Sequence, residues 1–526
     1  MRIGVDVGGT NTDAVLMDGR DVVAWTKQPT SPDVARGVAA AVAAVLADGK
    51  TDGGAVQALM IGTTHFTNAL VERVRLDRVG ILRLASPSGE ALPPMTGWPG
   101  ELVDRVGGPI HLLPGGYEVD GREIAPFDEA RVRAAAADLF RQGFKAFAIT
   151  SAFAPLDARM EERAAAIIRE VAPDAHISQS HQVGRLGLVE RENAAILNAA
   201  LSGLARQVVD AFGQAAEAIG ITAPLYISQN DGTLISAERA AAYPVLTIGS
   251  GPTNSMRGAA FLTGITDAIV LDVGGTTTDI GVLVGGFPRE SAVSVDIGGV
   301  RTNFRMPDTL ALGLGGGTRI HQGDALRIGP DSAGYRIGSE AFLFGGDTLT
   351  ASDVAVAAGR AQFGDVARVA SLAPAMIAVI MGQIDRMVED GIDRMKTARG
   401  DATVIAVGGG AFLVPDAVRG AARVIRPPHA GVANAVGAAI AQVGAVVEQI
   451  VDYQIEPRDA ALDRLRQVAV TRIVAGGGIE ESAEIVEIEE NALGYLPGRA
   501  MQVRIRAAGD LMPSPEAIKD RKPSYA

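Results

Sequence analysis

One octapeptide pattern is used twice. Asp6-Val7-Gly8-Gly9-Thr10-Asn11-Thr12-Asp13 follows the apolar run 2–5, and Asp272-Val273-Gly274-Gly275-Thr276-Thr277-Thr278-Asp279 follows 268–271. A second apolar run leaves each turn (14–17 and 280–284), so both copies predict a β-hairpin whose first strand ends in aspartate and whose tip is glycine and hydroxyl. Glycine lacks a Cβ and takes φ > 0 freely, which lets backbone N–H groups close on an anion. Gly8, Gly9, Thr10 and Asn11, with Gly274, Gly275, Thr276 and Thr277, are therefore candidates to cradle phosphate. An aspartate would repel phosphate directly. Asp6 and Asp272 are accordingly read as holding Mg2+, through its waters, against the phosphate oxygens. Asp13 and Asp279 are read as fixing the hairpins or as an outer metal shell. A single copy would read equally well as an ordinary tight turn; two copies opening two half-chains favour the phosphate site.

The rest of the composition narrows the class. At 526 residues the chain exceeds one core and predicts two or three domains. Its net charge of −13, spread without long runs, lacks the basic footprint that nucleic acid demands. With no cysteine there is no disulfide, thiolate-held metal or thiol nucleophile. The six histidines show neither HxH nor HExxH spacing and read as structural or surface residues; His65 and His429, in motif loops, are the ones expected near a cleft. No signal peptide and no apolar stretch of about 20 residues is found, so a cytoplasmic enzyme without membrane contact is expected.

Strands and helices alternate along the chain, which predicts a largely parallel sheet. The strand 58–61 runs into Gly62-Thr63-Thr64-His65, and 225–228 into Gln229-Asn230-Asp231-Gly232. Thr64, His65, Asn230 and Asp231 are candidate substrate contacts, against the plainer reading of capping and turn formation. Gly249-Ser250-Gly251 opens a helix expected at 255–262, a possible anion seat. Gly315, Gly316 and Gly317 are flexible enough to wrap a ligand, and Gly408, Gly409 and Gly410 close the strand 403–407. The Pro- and Gly-rich stretch 86–128 reads as an irregular insertion with strands around 117–124. Helices are expected at 128–142, 155–171 and 188–219, with Glu190, Arg191, Glu192 and Asn193 as surface caps. Further expectations are strands at 245–248, 292–296 and 424–428, a helix from Ser352 or Asp353 to 362, and helices at 371–398 and 433–447. Strand-like runs follow at 468–474, 484–488 and 501–506, then a peripheral polar tail from 510.

The two Asp-Gly-Gly-Thr hairpins and the late Gly408-Gly409-Gly410-Ala411 turn resemble the phosphate and adenosine motifs of the actin, heat-shock chaperone and sugar-kinase superfamily. The finer resemblance is to the hydantoinase A / 5-oxoprolinase family. It is carried by Gly62-Thr63-Thr64 to Asn68-Ala69-Leu70, Glu190-Arg191 to Leu197-Asn198-Ala199, Gln229-Asn230-Asp231-Gly232 with Ser236-Ala237-Glu238, Ser250-Gly251-Pro252, Arg327 to Gly334 and Thr348 to Asp353. The chain departs from the family where its SGPAGG loop continues here as Thr253-Asn254-Ser255, and in His65, where a small apolar residue is common. It looks like a short form that lacks most of a further C-terminal domain.

The resemblance implies an α/β fold of two ribonuclease-H-like lobes with an ATP cleft between them: a first lobe at 1–180, an ATPase lobe at 181–450 and an extension at 451–526. It also implies ATP and Mg2+ as cofactors, Gly408 to Gly410 as the adenosine seat, and ATP-dependent opening of a cyclic amide such as a hydantoin or lactam. A second, hydantoinase-type subunit and assembly into homo- or hetero-oligomers are further implications. Alternatives left open are the carboxylase branch of the same family, a sugar kinase, and a non-enzymatic actin-like or chaperone-like ATP switch.

Overall fold

The computed structural model describes residues 1–512 apart from 32, 292–294, 305, 324–325 and 495–499. It is a mixed α/β protein in which each octapeptide nucleates one sheet. In the first, Arg2–Val7 pairs antiparallel with Asn11–Asp18 and parallel with Ala58–Thr63; Asp21–Pro29 closes one edge. Beyond Ala58–Thr63 come Leu225–Ser228, Leu234–Ser236, Val443–Asp452, Ala500–Gly509 and Glu484–Ala492. In the second, Ala268–Val273 pairs antiparallel with Thr278–Val284 and parallel with Ala402–Val407, which pairs in turn with Ala421–Ile425. The local plan is the same in both. The hairpins make these sheets mixed rather than largely parallel.

Side-chain alternation along the hairpin strands decides what each face covers. Ile3, Val5 and Val7 pack in one core with Val38, Val42 and Leu197, from the Val34–Asp48 and Leu188–Ala218 helices. The opposite face, carrying Gly4 and Asp6, meets the Ala433–Ile440 helix: a Cβ on Gly4 would fall 2.1 Å from the Ala435 carbonyl oxygen. In the second sheet Ile269, Leu271 and Val273 pack on Ile380, Ile384 and Val388 of the Pro374–Met395 helix. Val270 on the other face packs with Met256 and Ala259 of the Ser250–Thr263 helix.

These two inner helices, one from each sheet, pack directly on each other. A Cβ on Gly258 would lie 1.8 Å from the Ala433 carbonyl oxygen, and one on Gly437 1.8 Å from that of Asn254. Two glycines thus allow a backbone-to-backbone crossing that no larger residue permits.

Several sequence expectations are corrected. The supposed irregular insertion contributes Gly107–Pro114 to a wholly parallel four-stranded sheet with Val79–Ser86, Ala146–Ser151 and His176–Gln179. It has its own core under the Glu129–Arg141 and Arg159–Val171 helices; around 117–124 there is only an isolated Tyr117–Glu123 bridge. Arg191 and Glu192 are fully buried, not surface caps. Glu192 pairs with Arg83 (Nε to Oε1 2.8 Å), and Arg191 donates at 2.9 Å to Ser180 Oγ, which donates in turn to buried Glu161 at 2.5 Å, so each buried charge has an opposite charge nearby.

Pro244 starts a 3-10 turn, Pro244–Thr247, where a strand was expected. Thr350, not Ser352 or Asp353, caps the Ala351–Ala357 helix in a capping box with Asp353, and Gly359 at φ +76° marks its early end. The helix expected at 433–447 stops at Ile440, and Val443–Asp452 is a strand. Residues 468–474, β-branched and strand-like, lie in the Arg458–Ala475 helix because Leu462, Leu465, Ala469 and Ile473 fall on one buried face. Of the strand expected at 292–296, residues 295–297 pair with Val300–Thr302 and the rest lie outside the described residues, as does the tail beyond 512. Among the described residues no helix is long and apolar enough to cross a membrane.

Candidate functional site

Both hairpins close alike. Gly8 N–H donates to the Asn11 carbonyl at 3.0 Å, and Gly274 N–H to the Thr277 carbonyl at 2.9 Å. Their registers set Asp6 opposite Asp13 and Asp272 opposite Asp279. The tips face each other: Thr10 Cγ2 is 4.0 Å from where a Cβ on Gly275 would stand. Gly9 opens onto free space, and Thr276 and Thr277 are exposed. The two tips, with Thr10, Asn11 and both glycine pairs, therefore come together, and the four aspartates stand on the strands behind them.

A glycine on the neighbouring parallel strand, or just past its end, makes room for each leading aspartate. A Cβ on Gly62, in register with Asp6, would stand 2.6 Å from Asp6 Oδ1; one on Gly408, at φ +86°, would stand 2.4 Å from Asp272 Oδ1. Gly410 N–H donates to the Val273 carbonyl at 2.7 Å and Gly408 N–H to that of Ala430 at 2.9 Å, so this turn braces the second hairpin. Gly409 completes it. Gly315, Gly316 and Gly317 differ from the expectation of a ligand wrap. Their N–H groups are taken by Thr318 Oγ1, the Gly274 carbonyl and the Gly275 carbonyl, at 2.7, 3.0 and 2.7 Å, which makes them a backing for the tip.

The carboxylates are held in unlike ways. Asp6 is buried, accepts from Asn434 Nδ2 at 2.9 Å through Oδ2, and has no partner on Oδ1. Burial, then repulsion from Asp13 and Asp272, pushes it up to about 7 against the help of Asn434. Asp13 forms an ion pair with Lys27 at 2.5 Å, which offsets the upward push of burial. Asp272 accepts from Ser255 Oγ at 2.5 Å; burial pushes it up and this hydrogen bond pulls it down. Asp279 is pushed up to about 7 by burial and by Asp272.

These groups fit a hard divalent cation. The donors are all oxygen, Asp6 Oδ1 is unmet, and the charge is in excess. Among the described residues no trio of His, Cys, Asp or Glu closes on one metal point, so waters and ligand oxygens would complete the shell.

The candidate substrate residues flank the start of the Ser250–Thr263 helix. Thr64 Cγ2 is 3.8 Å from the Cβ position of Gly251, and its hydroxyl donates to the Val7 carbonyl at 3.3 Å. His65 Nδ1 lies 2.6 Å from Thr63 Oγ1, and burial lowers its pKa, so it is neutral at pH 7. The Asn230 carbonyl accepts from Thr253 Oγ1 at 3.0 Å. Asp231 Oδ1 is used within its own turn by Thr233 N–H and hydroxyl. His429 occupies a left-handed position (φ +61°) before Ala430. Sequence reasoning passed over Lys27, Asn254, Ser255 and Asn434. Only the departure from the family loop at 254 and 255 offered a signal.

The chain matches the family model described as the hydantoinase/oxoprolinase N-terminal region over residues 2–172, and that described as hydantoinase/oxoprolinase over 191–366. It is similar to caprolactamase subunit alpha of Pseudomonas jessenii, at 30% identity over 68% of this chain and 54% of that protein. It is also similar to the acetophenone carboxylase gamma subunit of Aromatoleum aromaticum, at 28% identity over 68% and 53%. The chain thus spans about half the length of the curated relatives it matches. Its fold is that of ATP-dependent caprolactamase from P. jessenii, with TM-score 0.75 and 22% identity over 97% of this chain and 88% of that one. Nucleotide-free acetone carboxylase gives 0.69 and 19% over the same shares. With two models of one family in sequence along most of its length, the chain belongs to the hydantoinase/oxoprolinase family.

Proposed function

We propose that the protein is an ATP-dependent enzyme that opens a cyclic amide, a lactam or hydantoin, by phosphorylating the amide oxygen. The observation that carries this reading is the pair of matched hairpins, tip to tip, with Asp272 close enough to push up the Asp6 carboxyl. Two ribonuclease-H-like lobes divided near 180, with an extension from about 450, would then clasp the nucleotide between their sheets.

The glycine tips bind the phosphate tail through backbone N–H groups, and Thr10, Thr276 and Thr277 add hydroxyls. A magnesium ion held through water by Asp6 and Asp272 would neutralise phosphate charge during transfer. The turn at Gly408, Gly409 and Gly410 seats the adenosine, while Thr64, His65, Asn230 and Asp231 border the acceptor.

An unstrained amide is a poor electrophile. Transfer of the terminal phosphoryl group to its oxygen releases ADP and leaves an imidate phosphate. A first water adds at carbon and the ring C–N bond breaks, giving a free amine and an acyl phosphate; a second water then hydrolyses the acyl phosphate to carboxylate and inorganic phosphate. Relatives named as subunits support a partner chain that completes the hydrolysis.

A carboxylase reading is favoured by a different observation, the likeness to the acetophenone and acetone carboxylase subunits. The test is ATP turnover with a panel of lactams and hydantoins against ketone plus bicarbonate, with and without a partner subunit. Stimulation by a cyclic amide with an amino acid product supports ring opening; stimulation by ketone and bicarbonate alone replaces it with carboxylation.

A further inference from the structure

We propose that Asn254 and Ser255 are positioning residues that hold Asp6 and Asp272 in alignment with each other through one helix turn. The proposal rests on the reading of Asp6 and Asp272 as the working carboxylates. The Asn254 and Ser255 side chains are buried, at 0% and 1% exposure. The Ser255 hydroxyl donates to Asp272 Oδ2 at 2.5 Å. The Asn254 amide lies over Gly62: a Cβ there would meet Asn254 Nδ2 at 2.4 Å and Asp6 Oδ1 at 2.6 Å. Asp6 Oδ1 and both Asn254 amide atoms meet no other hydrogen-bonding group, and the Asn254 amide pulls the Asp6 carboxyl down against burial, so the two groups complement each other.

The backbone at the same residue is pinned. The Asn254 carbonyl oxygen sits 1.8 Å from the Cβ position of Gly437, on the helix whose Asn434 donates to Asp6 Oδ2. A continuous path of tight contacts therefore runs from Asp272 through Ser255, Asn254 and Gly437 to Asn434 and Asp6. Moving one carboxylate relative to the other requires shifting two helices that meet backbone to backbone. Phosphoryl transfer depends on such alignment to a fraction of an ångström.

The test measures ATP turnover and Mg-ADP binding by calorimetry on the full chain for Ser255→Ala, Ser255→Thr, Asn254→Ala and the Ser255→Ala/Asn254→Ala double variant. Expected are a kcat loss of roughly tenfold for each alanine variant, KM for ATP and Mg-ADP affinity within about twofold of wild type, substantial rescue by Ser255→Thr, and a double-variant loss smaller than the product of the two. Wild-type kcat in both alanine variants, loss of nucleotide binding along with kcat, absence of rescue by threonine, or strictly multiplicative losses would each overturn it. Asp6→Asn and Asp272→Asn run alongside. Full turnover in these removes the underlying reading and the proposal together; inactive aspartate variants beside fully active alanine variants leave that reading standing and end the proposal alone.

Discussion

The two hairpins share a backbone and differ in how their charge is handled. In the first, the next strand brings Lys27 opposite Asp13, and the pair closes at 2.5 Å. In the second, the residue opposite Asp279 is Ala311, and Asp279 is left to burial and the repulsion of Asp272. Duplication of a motif therefore preserved hydrogen-bond geometry, which the octapeptide itself encodes, but not electrostatics, which neighbouring strands supply. Both leading aspartates are pushed up by burial; the trailing ones differ, Asp13 being ion-paired with Lys27 while Asp279 has no cation opposite it and is raised to about 7.

The strongest way to break the comparison is to remove one leading carboxylate at a time. Asp6→Asn and Asp272→Asn are each expected to lower ATP turnover by about 100-fold or more, the scale of losing a transition-state charge contact. If only one does, the hairpins are not equivalent in function despite their common form. Next come the glycines that make room for them. Gly408→Ala places a Cβ 2.4 Å from both Asp272 Oδ1 and the Val273 carbonyl at φ +86°, and is expected to cost about 2–4 kcal/mol from overpacking plus left-handed strain. For Gly62→Ala the nearest atoms belong to the side chains of Asn254 and Asp6, without positive φ, and the change is expected to cost about 1–2 kcal/mol. Denaturant unfolding of the two variants gives the ordering directly.

Much of this was legible in the sequence, and for a local reason. A Gly-Gly-Thr tip between apolar runs fixes its own register, so the hairpins, their aspartates and the tip glycines follow from residues adjacent in the chain. What escaped depends on residues far apart. Lys27 reaches Asp13 only because of strand pairing across the first sheet. Gly258 and Gly437 read as ordinary helical glycines until two helices are seen to cross. Arg191 and Glu192 look like a solvated first turn, yet Arg83 and Ser180 meet them inside the protein. The strand-like run at 468–474 follows the opposite logic: propensity favours a strand, and the burial of Leu465, Ala469 and Ile473 makes it helix.

Lys27 sharpens the contrast at lower cost. Lys27→Met leaves Asp13 buried without its cation. The expected loss is about 1–3 kcal/mol, below the roughly 3–5 of a fully buried pair because Lys27 keeps 31% of its side-chain exposure. The reciprocal change, Ala311→Lys, should draw the Asp279 carboxyl back toward the ordinary carboxylate range, with little change in stability at low pH. Thermal unfolding of both variants at neutral pH measures whether the asymmetry resides in that one cross-strand position.

A pH-dependent effect follows from Asp279 itself. Its carboxyl titrates near 4 in the unfolded chain and at about 7 when folded, so between those values the folded state binds more protons than the unfolded one. Stability must then fall as pH rises from about 4 to 7, by at most about 1.4 kcal/mol per pH unit for one such group, and flatten above. Asp6, also raised to about 7, adds a second contribution of the same sign. Asp279→Asn removes one of the two and should make the pH profile of unfolding free energy shallower across that window, with its largest relative stabilisation near pH 8. Asp13→Asn acts on a carboxylate that Lys27 already compensates and should flatten the profile less, so unequal slopes are the signature of unequal hairpins, and equal slopes would erase the distinction.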